Sequence, residues 1–441
     1  MKTLRESKIK SIHQRRQGTP KYRLFLRETL CDLVDSCFPA MALRVFVSSA
    51  LGLGLIVLLL TSIAFAGEVD SSRPHRTPSL SSASVANTAD GLIRETDLTT
   101  DGDVYEINDD GRGNLWISEY SAGQIRQFNM ATHVYTIYQN IHNVDDARRD
   151  SGDNVWWSHY DNGQLGRIDL SAGTVTTWTL PGAGFPWGTA IDAFDQVWVT
   201  DADAPTIYRF NLTTTQVCSY TLPGGGKSDY IIHDAGVLWV GDDANDRLVE
   251  LDPAANTFTS YQLPFDSYPE GLAAGEDGNI WWGDYDNPFI GQLKPNSLQV
   301  VTYTLPYTLP DGEGPGMIDF SAGSIWYTVY TSGTFGAMNP AVATGVSSVI
   351  TSATVAVTPS CAILGPGVTL PTSTVTGTAS FTNAVYAPKI DSGGWTVYQL
   401  DLNSGLWPIR HVSGGVWIGD QSRDKLIWFS HRLYIPLVVK K

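Results

Sequence analysis

In six of seven places, a residue with a carboxylate or an imidazole follows a tryptophan by three positions: Glu119, His159, Asp201, Asp242, Asp284 and Asp420, with Val329 as the exception. A second recurrent position, ahead of segments of small residues, carries Asp145, Asp146, Asp229, Glu270 and Glu313. Carboxylates gathered at one end of a structure raise one another's pKa unless a cation joins them. Hard oxygen donors suit Mg²⁺ or Ca²⁺, so Glu119, Asp201, Asp242, Asp284 and Asp420 form a candidate metal set. The competing reading is local. An Asp at a strand end commonly caps the following turn, and Asp242-Asp243-Ala244-Asn245-Asp246 has the composition of such a turn. Both readings stand at this level. For proton transfer the candidates are Glu270 and His159; the histidine could be a base, a metal ligand or a turn residue. Trp187, Trp407, Tyr105 and Tyr268 lie at or beside the same small-residue segments. They form a candidate binding surface for a sugar or an aromatic ring, with loop packing as the alternative. No Gly-x-Ser-x-Gly, His-Glu-x-x-His, P-loop or Cys-x-x-Cys occurs, so nucleophilic hydrolysis has no support in the sequence.

The elements that must position these groups are repeats. Asn114-Leu115-Trp116, Asn154-Val155-Trp156, Gln196-Val197-Trp198, Val237-Leu238-Trp239, Asn279-Ile280-Trp281, Ser324-Ile325-Trp326 and Gly415-Val416-Trp417 are seven copies of one strand. Their spacing, roughly 40 to 45 residues apart from one long gap, is that of propeller blades. Each repeat opens with a small-residue inner strand such as Gly271-Leu272-Ala273-Ala274. A turn, the tryptophan strand, a third strand such as Arg247-Leu248-Val249-Glu250-Leu251 and an outer strand such as Ser260-Tyr261-Gln262-Leu263-Pro264 follow. The expected fold is an all-β, seven-bladed propeller of four-stranded antiparallel blades over 91–431. Inner strands leave one face and tryptophan strands return to it, which puts both sets of acids around one channel mouth.

Trp395-Thr396-Val397-Tyr398-Gln399-Leu400 copies an outer strand, so residues 341–392 read as an insertion between the third and fourth strands of blade six. Its Thr, Ser, Val and Pro content predicts a β excursion remote from the mouth. Blade seven lacks an outer strand, and Leu92-Ile93-Arg94-Glu95-Thr96-Asp97-Leu98 supplies it from the front of the domain, closing the ring. Cys218 falls on blade three and Cys361 in the insertion. A disulfide needs alpha carbons within about 7 Å, so both are expected to be free, buried thiols.

The formal charge is −16 over 441 residues. Residues 1–66 carry ten Lys/Arg and four Asp/Glu, leaving the remainder at −22. Such a domain repels nucleic acid and anionic membranes, and its expected partner is a small molecule, peptide or glycan bound by a monomer. Arg44, an apolar run over 45–66 and the ending Ala64-Phe65-Ala66 read as a secretory signal or an uncleaved anchor, with Met41 as a natural start. Residues 67–90 read as a linker and 432–441 as a tail, in a secreted bacterial protein.

The phrases Gly278-Asn279-Ile280-Trp281-Trp282-Gly283-Asp284, Gly166-Arg167-Ile168-Asp169 and Thr179-Leu180-Pro181-Gly182 resemble the streptogramin lyase family, also called virginiamycin B lyase. The resemblance covers most of 92–430 and implies a seven-bladed propeller. It also implies Mg²⁺-assisted elimination that opens a cyclic depsipeptide, with a histidine in Pro-His-Gly as the base. The position of that histidine is held here by Trp187, Glu270 or Trp407, and the metal-ligand position by Asp284 or Asp420. The one Pro-His of the chain, Pro74-His75, lies in the linker.

Overall fold

Strands here come from β-branched and aromatic residues alternating with polar ones. Reversals between them rest on residues that tolerate left-handed backbone, such as Gly278 (φ 73°) ahead of the Trp281 strand and Asp195 (φ 56°) ahead of the Trp198 strand. The protein is described from a computed structural model covering residues 91–98, 103–139, 141–309, 313–386, 388–400, 404–412 and 414–430. The expected leader, linker and tail lie outside these residues.

Seven antiparallel sheets are arranged as a propeller. In blade one, Val104–Asp109, Asn114–Glu119, Gln124–Asn129 and Val134–Gln139 run from axis to rim. Blades two to five repeat this order, with inner strands Val144–Arg149, Pro186–Ile191, Ile231–Asp234 and Pro269–Ala274. Blade six has Ile318–Ser321 inside and Trp395–Gln399 as its fourth strand, paired with Thr334–Met338. Blade seven takes its fourth strand from the front of the domain. Gly91–Asp97 lies against Lys425–Ser430 with Ile93 opposite Phe429, so the ring closes as expected.

The core lies between blades. Trp116 packs with Val155, Trp157 and Ile168 across the first seam. Trp156 packs with Val197, Tyr208 and Phe210 across the second. Trp116, Trp156 and Trp198 are fully buried. Each buried aromatic contributes about 2–3 kcal/mol through removal from water, which explains why the sequence repeats this residue.

The rim departs from the four-stranded expectation, because every sheet has five strands. The fifth comes from the insertion, which makes a complete circuit. Val346–Val349 lies on blade five, Ser352–Ala356 on blade four, Ser360–Ile363 on blade three, Val368–Pro371 on blade two, Ser373–Thr378 on blade one and Thr382–Tyr386 on blade seven. Ile390–Ser392 then returns it to blade six. All these pairings are antiparallel.

This belt advances one blade per seven or eight residues. The amides of Ile350, Val357, Leu364, Thr372 and Ala379 bind the carbonyls of Leu298, Asn256, Thr215, Gly173 and His133, which belong to turns between the third and fourth strands of successive blades. Ile350, Val357 and Leu364 also pack against the clusters between blades. Most other belt side chains face solvent, including Val349, Ile363 and Val368 at 65–78 % exposure. The belt is therefore held mainly by backbone pairing and by its corners.

Its course corrects the expectation for the cysteines. Cys218 and Cys361 are opposite one another in the blade-three ladder and form a disulfide with alpha carbons 4.0 Å apart. The free-thiol expectation treated the insertion as belonging to blade six alone. A segment that travels round the rim brings Cys361 to blade three.

Candidate functional site

The acids three residues after the tryptophans end their strands at the mouth, and all five are fully buried. Asp201 accepts hydrogen bonds from the backbone amides of Gly184 (2.8 Å), Phe185 (3.1 Å) and Asp203 (3.1 Å). Asp242 accepts from the Lys227 amide (3.2 Å) and from Arg247 Nε (2.7 Å). Asp284 accepts from Ser267 Oγ, the Tyr268 amide (3.3 Å) and Asn287 Nδ2 (2.8 Å). Asp420 accepts from the Gly405 amide (3.1 Å) and Arg423. Glu119 accepts from Arg126 and Gln124. Four of the five thus pin the loop that leads into the inner strand of their own blade. Burial pushes Asp284 up to about 6, against the opposing pull of Ser267 and Asn287.

These carboxylates are acceptors already matched with donors. Among the described residues, no three His, Cys, Asp or Glu side chains gather where they could hold a metal ion. As arranged, the set does not fit a divalent cation.

What the pinned loops present is aromatic. Ladder pairing is interrupted between Val104 and Glu106, Val144 and Ala147, Pro186 and Thr189, Pro269 and Leu272, and Leu406 and Ile409. Such bulges re-aim side chains and recur beside functional sites. They carry Tyr105, Asp145 and Asp146, Trp187, Glu270 and Trp407. The hydroxyls of Ser158, Thr200 and Thr328, two residues after a tryptophan, donate to the carbonyls of Trp187, Asp229 and Trp407 on the next blade. The bulges are thus fixed from both sides.

Tyr105, Trp187, Tyr268 and Trp407 are buried, at 1–4 % exposure. Trp407 of blade seven donates its indole N–H to the hydroxyl of Tyr230, which leads into blade four (3.1 Å), and so spans the channel. Tyr268 donates to Asp229 (3.0 Å). Over these lies a half-exposed layer of Tyr120, Phe185, Tyr285 and Tyr330. Tyr120 sits 5.3 Å from Tyr105, and Tyr285 and Tyr330 each lie 5.8 Å from Trp407, centroid to centroid. Three of the four outer rings stand four residues after a strand tryptophan, as does buried Tyr160. That recurrence was open to sequence reasoning, which stopped one residue earlier.

Glu270 is 1 % exposed on its bulge, in Pro269-Glu270-Gly271. His159 is also buried, with Nε2 3.4 Å from Asn162 Nδ2 and no hydrogen-bond partner at Nδ1. Burial chiefly holds its pKa down, so the neutral imidazole is favoured. Glu106, one residue past the Tyr105 bulge, was missed by the spacing argument. Burial first and Asp146 second push it up to about 8, while the Tyr230 hydroxyl acts in the opposite direction.

The sequence profile of the virginiamycin B lyase family matches residues 91–366. Among solved structures, selenomethionine-substituted virginiamycin B lyase from Staphylococcus aureus aligns at TM-score 0.59 and 17% identity, over 77% of this chain and 99% of that one. A streptogramin B lyase structure aligns at 0.59 and 16%, over 78% and 98%. A catalytically inactive histidine-to-alanine variant of virginiamycin B lyase from Staphylococcus aureus, with quinupristin, aligns at 0.58 and 18%, over 77% and 99%. No curated protein sequence matches. The structural likeness reflects the shared fold, and with the profile covering most of the propeller, the chain belongs to the virginiamycin B lyase family.

Proposed function

We propose that the mouth binds a small ring-bearing ligand, with its apolar face against the outer aromatic layer. The observation that supports this most is the half-exposed set Tyr120, Phe185, Tyr285 and Tyr330, seated on buried rings that fix their positions. Aromatic surfaces with few rotatable bonds bind rings at low entropic cost. The pinning acids hold the loops that carry this layer, and the binding needs no cation. The reading includes export, because the disulfide suits an oxidising compartment.

A second reading, elimination that opens a cyclic depsipeptide, draws on family membership and on Glu270 at the Pro-x-Gly bulge. In it Glu270, or the neutral imidazole of His159, removes a proton from the carbon next to the one that bears the ester oxygen; a carbon–carbon double bond forms, the alkyl carbon–oxygen bond breaks and the carboxylate leaves. Asp284 and Asp420 do not fit a metal as they stand.

Titration with quinupristin, followed by tryptophan fluorescence and by chromatography of the recovered compound with and without EDTA, separates the two. Saturable, EDTA-insensitive binding with the ring intact is expected. Ring opening that disappears in Glu270→Gln or His159→Ala would decide for the second reading. Absence of binding would remove the first.

A further inference from the structure

A cleft of about 570 Å³ lies on the face opposite the mouth, at the seam where blade seven meets blade one. Its lining includes the turn after the inner strand of blade one (Asp109, Gly111, Gly113) and the turn before that blade's fourth strand (Met130, Ala131, His133). Val412, Trp417, Trp428, Arg94 and the belt residue Phe381 complete it. The volume falls within the range of small-ligand sites.

The walls are aromatic on several sides. Phe381 lies 4.8 Å from His133 and 6.1 Å from Trp417, and Trp417 lies 6.1 Å from Trp428. One cationic side chain is set among them. The Arg94 guanidinium lies over the Trp428 ring at 4.8 Å, and no ion pair is formed by it among the described residues. Nε of Arg94 is buried without a hydrogen-bond partner. Planar donors of this kind favour carboxylate and related anions.

Asp109 also lines the cleft but forms no ion pair with Arg94 among the described residues. Asp109 accepts from the Gly111 amide in its own turn (3.0 Å). In blades one to three an Asp six residues before the strand tryptophan accepts its indole N–H: Asp110, Asp150 and Asp192 for Trp116, Trp156 and Trp198. In blade seven that position is His411, and the seam has no carboxylate there.

From this geometry we infer that the seam cleft binds a small aromatic anion, with its ring against Phe381, His133 and the two tryptophans and its carboxylate or similar group on Arg94. The belt contributes one wall, so a bound ligand bridges belt and propeller. This site is separate from the mouth and does not depend on what the mouth binds.

Calorimetric titration of the full chain with 2-naphthoate, and with neutral 2-naphthamide as the comparison, tests the assignment. The acid should bind at one site at least about tenfold more tightly than the amide, the scale of a charge-assisted hydrogen bond. Arg94→Met keeps the chain over Trp428 and should erase that preference, whereas Arg94→Lys should retain part of it. Phe381→Ala should weaken both probes. Naphthoate should slow hydrogen exchange around Ala379, whose amide binds the His133 carbonyl (2.9 Å). Failure to saturate at millimolar concentration, equal affinity for acid and amide, an unchanged preference in Arg94→Met, or protection confined to the Tyr330 loop would each overturn the proposal.

Discussion

The mouth and the rim of this propeller use opposite strategies. At the mouth, similar residues at equivalent places in successive blades converge on one axis. At the rim, a single segment that occurs once visits all seven blades in turn. The mouth is built from side chains: buried acids grip backbone amides, and the gripped loops hold rings in place. The rim is built from backbone pairing, and its side chains largely face solvent. Convergent repetition suits a site, where several rings must meet. A continuous belt suits an edge, where seven open strands must be covered.

The comparison breaks most readily at the belt. Replacing residues 341–392 with a short linker uncovers the fourth strand of each blade and removes the disulfide. We expect the largest effect here, a loss of stability beyond the about 2–4 kcal/mol of the disulfide alone, together with self-association through the uncovered edges, read by denaturant unfolding and size-exclusion chromatography. An unchanged midpoint and a monodisperse monomer would show that the rim needs no cover.

At the mouth the matching perturbation is Glu119→Ala. It leaves Arg126, 1 % exposed, without its carboxylate. Breaking one side of a buried pair costs about 3–5 kcal/mol, and the same unfolding measurement reads it. A loss under about 1 kcal/mol would mean that the acids at the mouth are not structural.

Cys361→Ser keeps the belt but releases its covalent tie across 143 residues of sequence. The expected loss is about 2–4 kcal/mol, and less if strand pairing already confines the belt in the unfolded ensemble. Addition of a thiol reductant to the unaltered chain should produce the same shift, and a reductant effect that persists in Cys361→Ser would contradict the assignment.

The last effect depends on pH and concerns Glu106. Its folded pKa of about 8 stands above its ordinary value of 4.5. The folded protein therefore holds a proton that the unfolded chain has released. The stability this supplies is complete below about 4.5 and is lost as pH rises towards 8. Glu106→Gln should flatten the decline of stability across that window. An identical pH profile for the two proteins would place the titrating group elsewhere.

The two regions also differ in how much of each can be read in the chain. Blade number and ring closure followed from Trp116 to Trp417 and from the strand at Leu92, because a buried aromatic at each seam imposes its own period. The acids at Trp+3 were legible as a ring, but residue type alone does not tell a carboxylate that holds a cation from one that caps a loop. The distinction depends on donors such as Arg126, Arg247 and Ser267, which converge only after folding. Tyr120, Tyr285 and Tyr330 carried the same period one residue later. Glu106 carried no period, since its raised pKa comes from burial and from Asp146 on another blade. The belt was legible as β-rich, whereas its route was not. Its signal is the step of seven or eight residues from Ile350 through Val357, Leu364 and Thr372 to Ala379, too short for a blade and meaningful only once the circumference of the ring is known. The error over Cys218 and Cys361 has the same origin.

The central claim is that the aromatic mouth is the binding surface and the belt is its frame. Hydrogen exchange of the full chain with and without a streptogramin B depsipeptide tests it most directly. Slowed exchange in the loops bearing Tyr120, Tyr285 and Tyr330, with belt amides unchanged, is the predicted result. Protection confined to the belt strands, or no protection at saturating depsipeptide, would contradict it.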